Sequence, residues 1–484
     1  MKKYEQLAQQ LSSAIRSGVF QSSQKLPSVR DLCSQYSVSL STVVKAMETL
    51  VDSGLIESRE RSGFYLKPEK NVEVEPPRTD YLLEEPTKAS HQQLSIGLVK
   101  STQESSLSCL SMSMAIPDRA FLPVDELDRI YRKVLRSKEY IRDSYGAVSG
   151  DISLRQQLAI YMRSRGYTCN ADQFIVTSGC QQAVMLALMA FTKPGDTVAM
   201  ESPAYPGSWQ VCDLLNLNVL EIPTDPQEGI SVGALELAID RWEVKACLLS
   251  ANYSNPTGAC MPDEKKQRLV ELCAKHDIMI VEDDVYGDLG ADIYHRPKPL
   301  KAFDTTENVI YCSSFSKTIS PGMRVGWVVS ERFHDEIEYN KYVANLATSS
   351  TPQHVMSEYL KTGKYDITLQ TTRLKYANQL AHIVGRIQQW FPKETRVTQP
   401  TGGFILWLEL PRHVDTLELL EHSLKVGVSF TPGVLFSPSG KFKNCLRLNC
   451  ARQWDDSMEE ALQCLGKLSN LAVQEKLQND KVAS

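Results

Sequence analysis

SSFSKTISPGMRVGW, residues 313–327, decides how the larger part of the chain is read. Lys317 stands among small hydroxyl residues just after an apolar run, with a Pro-Gly turn behind it and Arg324 seven residues on. A lysine that follows a buried strand is ordinarily a surface lysine. Here Ser314 and Arg324 flank it with a hydroxyl and a guanidinium, two donors for one anionic group. Outward from this stretch, QFIVTSG, TVAMES, NVLEIP, ACLLSAN, IMIVEDD, NVIYCSS and RVGWVVS are short apolar runs, most of them followed by a helical or turn segment. That alternation predicts an α/β body whose mostly parallel sheet lies between helices, with ligands bound at the carboxyl ends of the strands.

The informative residues sit at those ends. FIVTSG runs through Gly179 into CQQAVMLALMAF, so the helix start at Cys180 and Gln181 offers backbone N–H groups and a positive dipole end to a phosphate. Asp283 closes IVEDD, and a buried carboxylate there can pair with a protonated ring nitrogen. Tyr286, three residues on, and Asn255, in SNPTG, can hydrogen-bond a ring hydroxyl, while Tyr205, in ESPAYPG, supplies a flat face for stacking. Pyridoxal 5′-phosphate carries an aldehyde, a pyridine nitrogen, a phenolic oxygen and a phosphate, and so uses all of these at once. Lys317 would capture its aldehyde, and Asp283 would keep the ring protonated as an electron sink. Lys317, Asp283 and Tyr286 are therefore the expected catalytic groups.

The first 67 residues read differently. Leu7, Ala8, Leu11, Ala14 and Ile15 keep a helical period that Gly18 ends; a second helix follows LPS, with Ser28 as its N-cap; a third buries Val43, Ala46, Met47 and Leu50. LIESRERSGFYL then reads as a two-stranded wing, which makes a winged helix-turn-helix. Ser39, Ser41, Thr42 and Lys45 face outward near the start of the third helix, the end that enters the major groove in this motif. Arg30 and the wing residues Arg61, Ser62 and Gly63 would grip the DNA backbone or reach the minor groove, and Ser28 belongs to the same face. The head holds nine Lys/Arg against six Asp/Glu in a chain of net charge −5. A mildly basic head on an acidic body suits local contact with nucleic acid.

Residues 68–105 read as a linker, rich in proline and charge and without a sustained period. The body then spans 106–484, a large part at about 120–350 and a small C-terminal α+β part at about 351–475. The twelve cysteines show no C-x-x-C spacing, and no histidine stands at metal-ligand spacing, so reduced thiols and no metal are expected. No apolar run is long enough to span a membrane, and MKKYEQLAQQL lacks a signal-peptide core, which predicts a cytoplasmic protein.

From about residue 110 to 470 these motifs resemble the fold-type I pyridoxal-phosphate aminotransferases. The resemblance implies that Tyr145, in DSYGAVSGDISLRQQ, reaches a neighbouring subunit's phosphate, and that Arg447, in NCLRLNCA, clamps a substrate α-carboxylate. L-P-S-x-R, V-S-x-S-T-V, G-L-I-x-S and S-G-F-Y resemble the GntR-type winged helix, although Leu40 and Val44 stand where some members carry basic base-reading residues. Joined, the two halves resemble the MocR-type regulators over essentially the whole chain. That resemblance implies a head-to-tail homodimer binding a double-stranded DNA operator, with the body sensing an amino acid, an amine or pyridoxal phosphate itself. The alternative is a working aminotransferase that moves an amino group from an amino acid to a 2-oxo acid, since every part of that site is present.

Overall fold

The computed structural model describes residues 26–36, 38–52, 56–59, 62–66, 75–79, 82–88, 110–137, 145–292 and 296–483, together with Tyr4, Leu7, Ala8 and Leu11. Two compact units result, residues 1–74 and 75–484.

In the first unit the helices Val29–Tyr36 and Leu40–Asp52 precede an antiparallel hairpin of Ile56–Arg59 and Gly63–Leu66. Leu7, Leu11, Leu26, Leu32, Val43, Met47, Leu50 and Ile56 close over one another with almost no exposure. The Leu26 amide donates to the Phe64 carbonyl at 2.9 Å and so ties the segment before the helices to the wing. Of the apolar positions predicted to be inside, Leu7, Ala8, Leu11, Val43, Ala46, Met47 and Leu50 are inside, and Ala14 and Ile15 lie outside the described residues. Gly18 and Arg61, singled out in the sequence, lie outside the described residues.

The second unit is built on a nine-stranded sheet. Five neighbouring strands run parallel: Asn218–Asp225, Thr197–Ser202, Val244–Leu249, Met279–Asp283 and Val309–Ser314. Gly326–Val329 then runs antiparallel between Val309–Ser314 and Phe174–Thr177. Every apolar run identified in the sequence forms one of these strands. Their residues alternate between faces: Val198, Leu248, Val281 and Ile310 pack on one side, and Cys247, Ile280, Tyr311 and Trp327 on the other. Both faces are apolar because helices cover both.

The small C-terminal part is a four-stranded antiparallel sheet in the order Arg396–Val397, Ile405–Glu409, Cys445–Asn449, Thr431–Pro432, flanked by the helices Thr416–Lys425 and Asp456–Ala483. Leu110–Ser111 pairs in parallel with Val428–Ser429, so the start of the body is held by its end.

Part of the expected linker is not free chain. Thr87–Lys88 adds an antiparallel strand beside Asn218–Val219, Leu83 packs against the body's core, and the Arg78 amide donates to Glu409 at 2.8 Å. Backbone pairing with Asn218 and Val219, at the start of an edge strand, places no demand on the side chains of Thr87 and Lys88. Leu82 stays exposed. Among the described residues no helix is long and apolar enough to cross a membrane, and no His/Cys/Asp/Glu group could hold a metal ion.

Candidate functional site

The parallel strands all end at one edge of the sheet, and the predicted residues meet there. Asp283 ends its strand, Ser314 ends the next, and Lys317 lies in the turn that follows. Arg324 joins them from the other direction: its strand runs antiparallel, so that strand's beginning lies at the same edge. Cys180, Gln181, Tyr205, Asn255, Asp283, Tyr286, Ser314, Lys317 and Arg324 line one cavity.

The helix Cys180–Phe191 begins at Gly179 with φ 102° and no side-chain cap, which leaves its first amides for a ligand. Glycine is required at this position: a Cβ on Gly179 would lie 2.3 Å from Arg324 Nη2. Arg324 is held by the Ser178 carbonyl (2.7 Å) and the Ser316 hydroxyl (3.3 Å). Uncapped amides, a guanidinium and the hydroxyls of Ser314 and Ser316 form a cradle for a phosphate.

Across the cavity, the Cys180 thiol donates to Asp283 Oδ1 at 3.2 Å. Burial pushes the Asp283 carboxyl up to about 6, and the Cys180 hydrogen bond opposes that rise. Burial holds the thiol well above its usual value, so Cys180 acts as a donor, not a nucleophile. Lys317 is pushed down to about 8, first by burial and then by the charge of Arg447, against the pull of Asp283. Burial also raises the Tyr286 phenol, which Arg447 partly offsets. The ring of Tyr286 is 5.8 Å from Lys317 Nζ.

Behind Asp283 lies a buried charge network that the sequence did not reveal. Arg296 bridges Asp284 and Asp288, and Asp288 also accepts from Tyr161 (2.7 Å), Tyr365 (2.6 Å) and Arg165 (3.4 Å). Tyr365 reaches Thr318, the neighbour of Lys317, at 3.1 Å. Two guanidiniums and two phenols hold Asp288 far below the usual carboxylate range even though burial works the other way. The turn from Asp283 to Asp288 and the Lys317 loop are thereby clamped to one frame.

Arg447 comes from the small part and is buried at 5% exposure. It donates to Asn255 Oδ1 (3.2 Å), Thr431 Oγ1 (2.9 Å) and the Ser113 carbonyl, while its Nε has no partner. The Ala115 carbonyl accepts from Lys317 Nζ at 2.7 Å. Residues 113–116 thus form a strap across both cations of the site. The strap, SMAI, meets Arg447 and Lys317 through its backbone oxygens, not through its side chains. Ser316 and Ser250 also line the cavity. Ser316 was legible, as the hydroxyl just before the lysine. Tyr145 is 83% exposed and does not line the cavity of its own chain.

On the head, Ser28 and Asp31 exchange backbone bonds at 3.2 Å each, a capping box that uses the Ser28 hydroxyl for folding. Ser39 Oγ sits 2.8 Å from Thr42 Oγ1 and 3.1 Å from Ser41 Oγ, and caps the third helix. Arg30, Ser41, Lys45 and Gly63 are exposed; Lys45 Nζ lies 5.0 Å from the Tyr4 ring, and Ser62 is 2.7 Å from the Tyr65 hydroxyl. Tyr65 also carries Arg59 over its ring at 4.2 Å, a wing cation not singled out from the sequence.

Pyridoxal phosphate fits these residues: a phosphate cradle free of carboxylates, a carboxylate across from it, and a lysine amine between them.

Residues 121–465 match the family described as aminotransferase class I and II, and residues 3–66 match bacterial regulatory proteins, gntR family. The chain is 38% identical to the HTH-type transcriptional regulator YjiR of Escherichia coli (strain K12), with 96% of this chain and 98% of that one covered. It is 34% identical to the HTH-type transcriptional regulator YdcR of the same organism, covering 99% and 100%. Among solved structures it is similar to the α-aminoadipate aminotransferase LysN of Thermus thermophilus, complexed with N-(5′-phosphopyridoxyl)-L-leucine, at TM-score 0.72 and 28% identity, covering 77% of this chain and 95% of that one.

Proposed function

The chain belongs to the aminotransferase class I and II family and carries a gntR-family domain at its N-terminus, and on that premise we propose that it is a pyridoxal-phosphate-dependent DNA-binding transcriptional regulator that senses an amino acid through its aminotransferase-like body. When bound, pyridoxal phosphate supplies an aldehyde that reacts with amines and a ring that accepts electrons. Lys317 would hold the aldehyde carbon; its lowered pKa makes the neutral, nucleophilic amine accessible near neutral pH. Asp283 would accept the ring N–H, Asn255 and Tyr286 would hold the ring oxygen, and Tyr205 would cover one face. Gly179, Cys180, Gln181, Ser314 and Arg324 would hold the phosphate.

The observation that carries the regulatory reading is the strap. The Ser113 and Ala115 carbonyls sit on the two cations an amino acid must use. An ionised α-carboxylate makes a stronger bond to Arg447 than a neutral carbonyl does, so ligand binding would displace Ser113. In sequence the strap leads back through residues 75–88 toward the head. A ligand that favours one strap position by about 1–3 kcal/mol is sufficient to change DNA affinity. The head would present Arg30, Ser41, Thr42 and Lys45 to a DNA groove and the wing, with Arg61, Ser62 and Gly63, to the backbone, while Ser28 and Ser39 order the helices that carry them.

A head-to-tail homodimer is part of the proposal. Tyr339, Tyr342, Val343 and Leu346 form an exposed apolar stripe at helical spacing along His334–Asn345 and just beyond it, and Tyr145 is exposed for a neighbouring subunit's phosphate. The second reading, a turning-over aminotransferase, is favoured by the completeness of Lys317, Asp283 and Arg447. One experiment separates them: the visible spectrum of the cofactor-loaded chain is followed as single amino acids are added, with oxo acid assayed and binding to duplexes selected from a random library measured alongside. A spectral change without oxo acid, accompanied by altered DNA affinity, supports the regulator. Stoichiometric oxo acid with unaltered DNA affinity would favour the aminotransferase.

A further inference from the structure

Beside the cofactor cavity lies a second one, of about 230 Å³, which opens onto Lys317 and Arg447. Its walls are Met114 and Ile116 of the strap, Leu420, Phe430, Leu435 and Phe436, with Tyr205 at the boundary between the two cavities. Phe430, Phe436 and Leu420 are almost wholly buried, and Phe436 places its ring centre 5.4 Å from the Arg447 guanidinium carbon. The apolar wall therefore begins where the carboxylate clamp ends. Apart from Lys317 and Arg447 the lining contains no charged residue. The Thr431 hydroxyl is bonded to Arg447 and the Ser113 hydroxyl to Ser111 and Ser429, which leaves the Gln210 amide and the Tyr205 phenol as the other polar side chains.

An amino acid whose α-amino group meets Lys317 and whose α-carboxylate meets Arg447 would have this cavity, which both cations line, beside its side chain. A carboxylate or ammonium there would lose its hydration with no counter-charge to replace it. A dry apolar cavity of roughly 150 Å³ already holds a benzene ring, so 230 Å³ admits leucine, methionine or phenylalanine. Alanine would leave most of the apolar wall unfilled.

Resting on the sensor reading above, we propose that the ligand class is α-amino acids with uncharged, apolar side chains of at least leucine size, aromatic ones included, and that acidic and basic amino acids are excluded by the side-chain cavity.

The test titrates the cofactor-loaded full chain with L-leucine, L-methionine, L-phenylalanine, L-alanine, L-glutamate and L-lysine, reading apparent Kd from the visible spectrum. The apolar three are expected to bind roughly 100-fold more tightly than glutamate and lysine, within the range that a side-chain pocket can discriminate. Glutamate or lysine binding as tightly as leucine overturns the side-chain inference and leaves the sensor reading standing. If none of the six alters the spectrum although the cofactor is bound, both fail together. Met114→Arg, at a partly exposed wall position, supplies the missing counter-charge. It should shift the glutamate-to-leucine preference at least about tenfold toward glutamate; an unchanged preference would place the side chain elsewhere.

Discussion

Replacing Arg447 with leucine separates the clamp from the cofactor site. Of the bonds from Arg447 only the one to Asn255 reaches a residue assigned to the cofactor, and none goes to Lys317, Asp283, Ser314 or Arg324, so Arg447→Leu should still bind pyridoxal phosphate. Within the fold, Ser113 O keeps the Thr431 hydroxyl at 2.6 Å, and the main loss is the donor to buried Asn255. One unsatisfied buried acceptor costs about 1–3 kcal/mol, which the body should survive. The ligand loses much more. Removing one partner of a buried, hydrogen-bonded charge pair costs about 2–5 kcal/mol; a middle value of about 3 kcal/mol is roughly a 150-fold rise in the apparent Kd of the best-binding amino acid. A second readout tests the electrostatics. Arg447 helps to hold the Lys317 amine down at about 8. Without it the lysine keeps its proton to higher pH, so the midpoint for covalent capture of the cofactor must move upward. Both quantities come from absorbance titrations across about pH 6–10, a range that brackets the lowered and ordinary lysine values. Weakening of less than about threefold, or a midpoint that stays or falls, would refute the assignment of Arg447 as the clamp beside Lys317.

Gly179→Ala should leave a folded chain with at least about tenfold weaker cofactor affinity, because the new Cβ collides with Arg324 in a backbone conformation that costs other residues of order 1–3 kcal/mol; equilibrium binding of pyridoxal phosphate reads it. Asp288→Asn leaves Arg165 and Arg296 short of a buried counter-charge and should destabilise the body by about 3–5 kcal/mol, measured by urea unfolding. Below about pH 6 the Asp283 carboxyl takes up a proton and loses its attraction for a protonated ring, so cofactor affinity should fall as pH drops through about 6 and be regained above it. Lys45→Ala should weaken DNA binding and lower the salt slope by about one while leaving the cofactor spectrum unchanged; an unaltered slope places the backbone contact elsewhere.

The chemistry was legible because it rests on local patterns. A strand end such as VEDDVYG or SSFSK places its side chains at the sheet edge whatever the rest of the chain does, and parallel order then brings the ends together. The direction of RVGWVVS was not legible, since apolar alternation is the same in both senses; its antiparallel placement is what swings Arg324 into the site. The helix-start hydroxyls of the head were read for DNA, yet Ser28 and Ser39 are occupied in capping their own helices, a competition that the residue type alone does not resolve.

By itself the sequence determined the two-part organisation, the strands, the residues that gather at the strand ends and the apolar core of the head, because each follows from periodicity or from residue types within a few positions. Tertiary structure alone decided that residues 75–79 and 82–88 lie on the body, that Asp284, Asp288, Arg165 and Arg296 share one buried network, and that a plain SMAI strap covers Lys317 and Arg447. Those arrangements join residues separated by up to hundreds of positions, and the strap acts through backbone carbonyls, which every residue has and no pattern of side chains can announce.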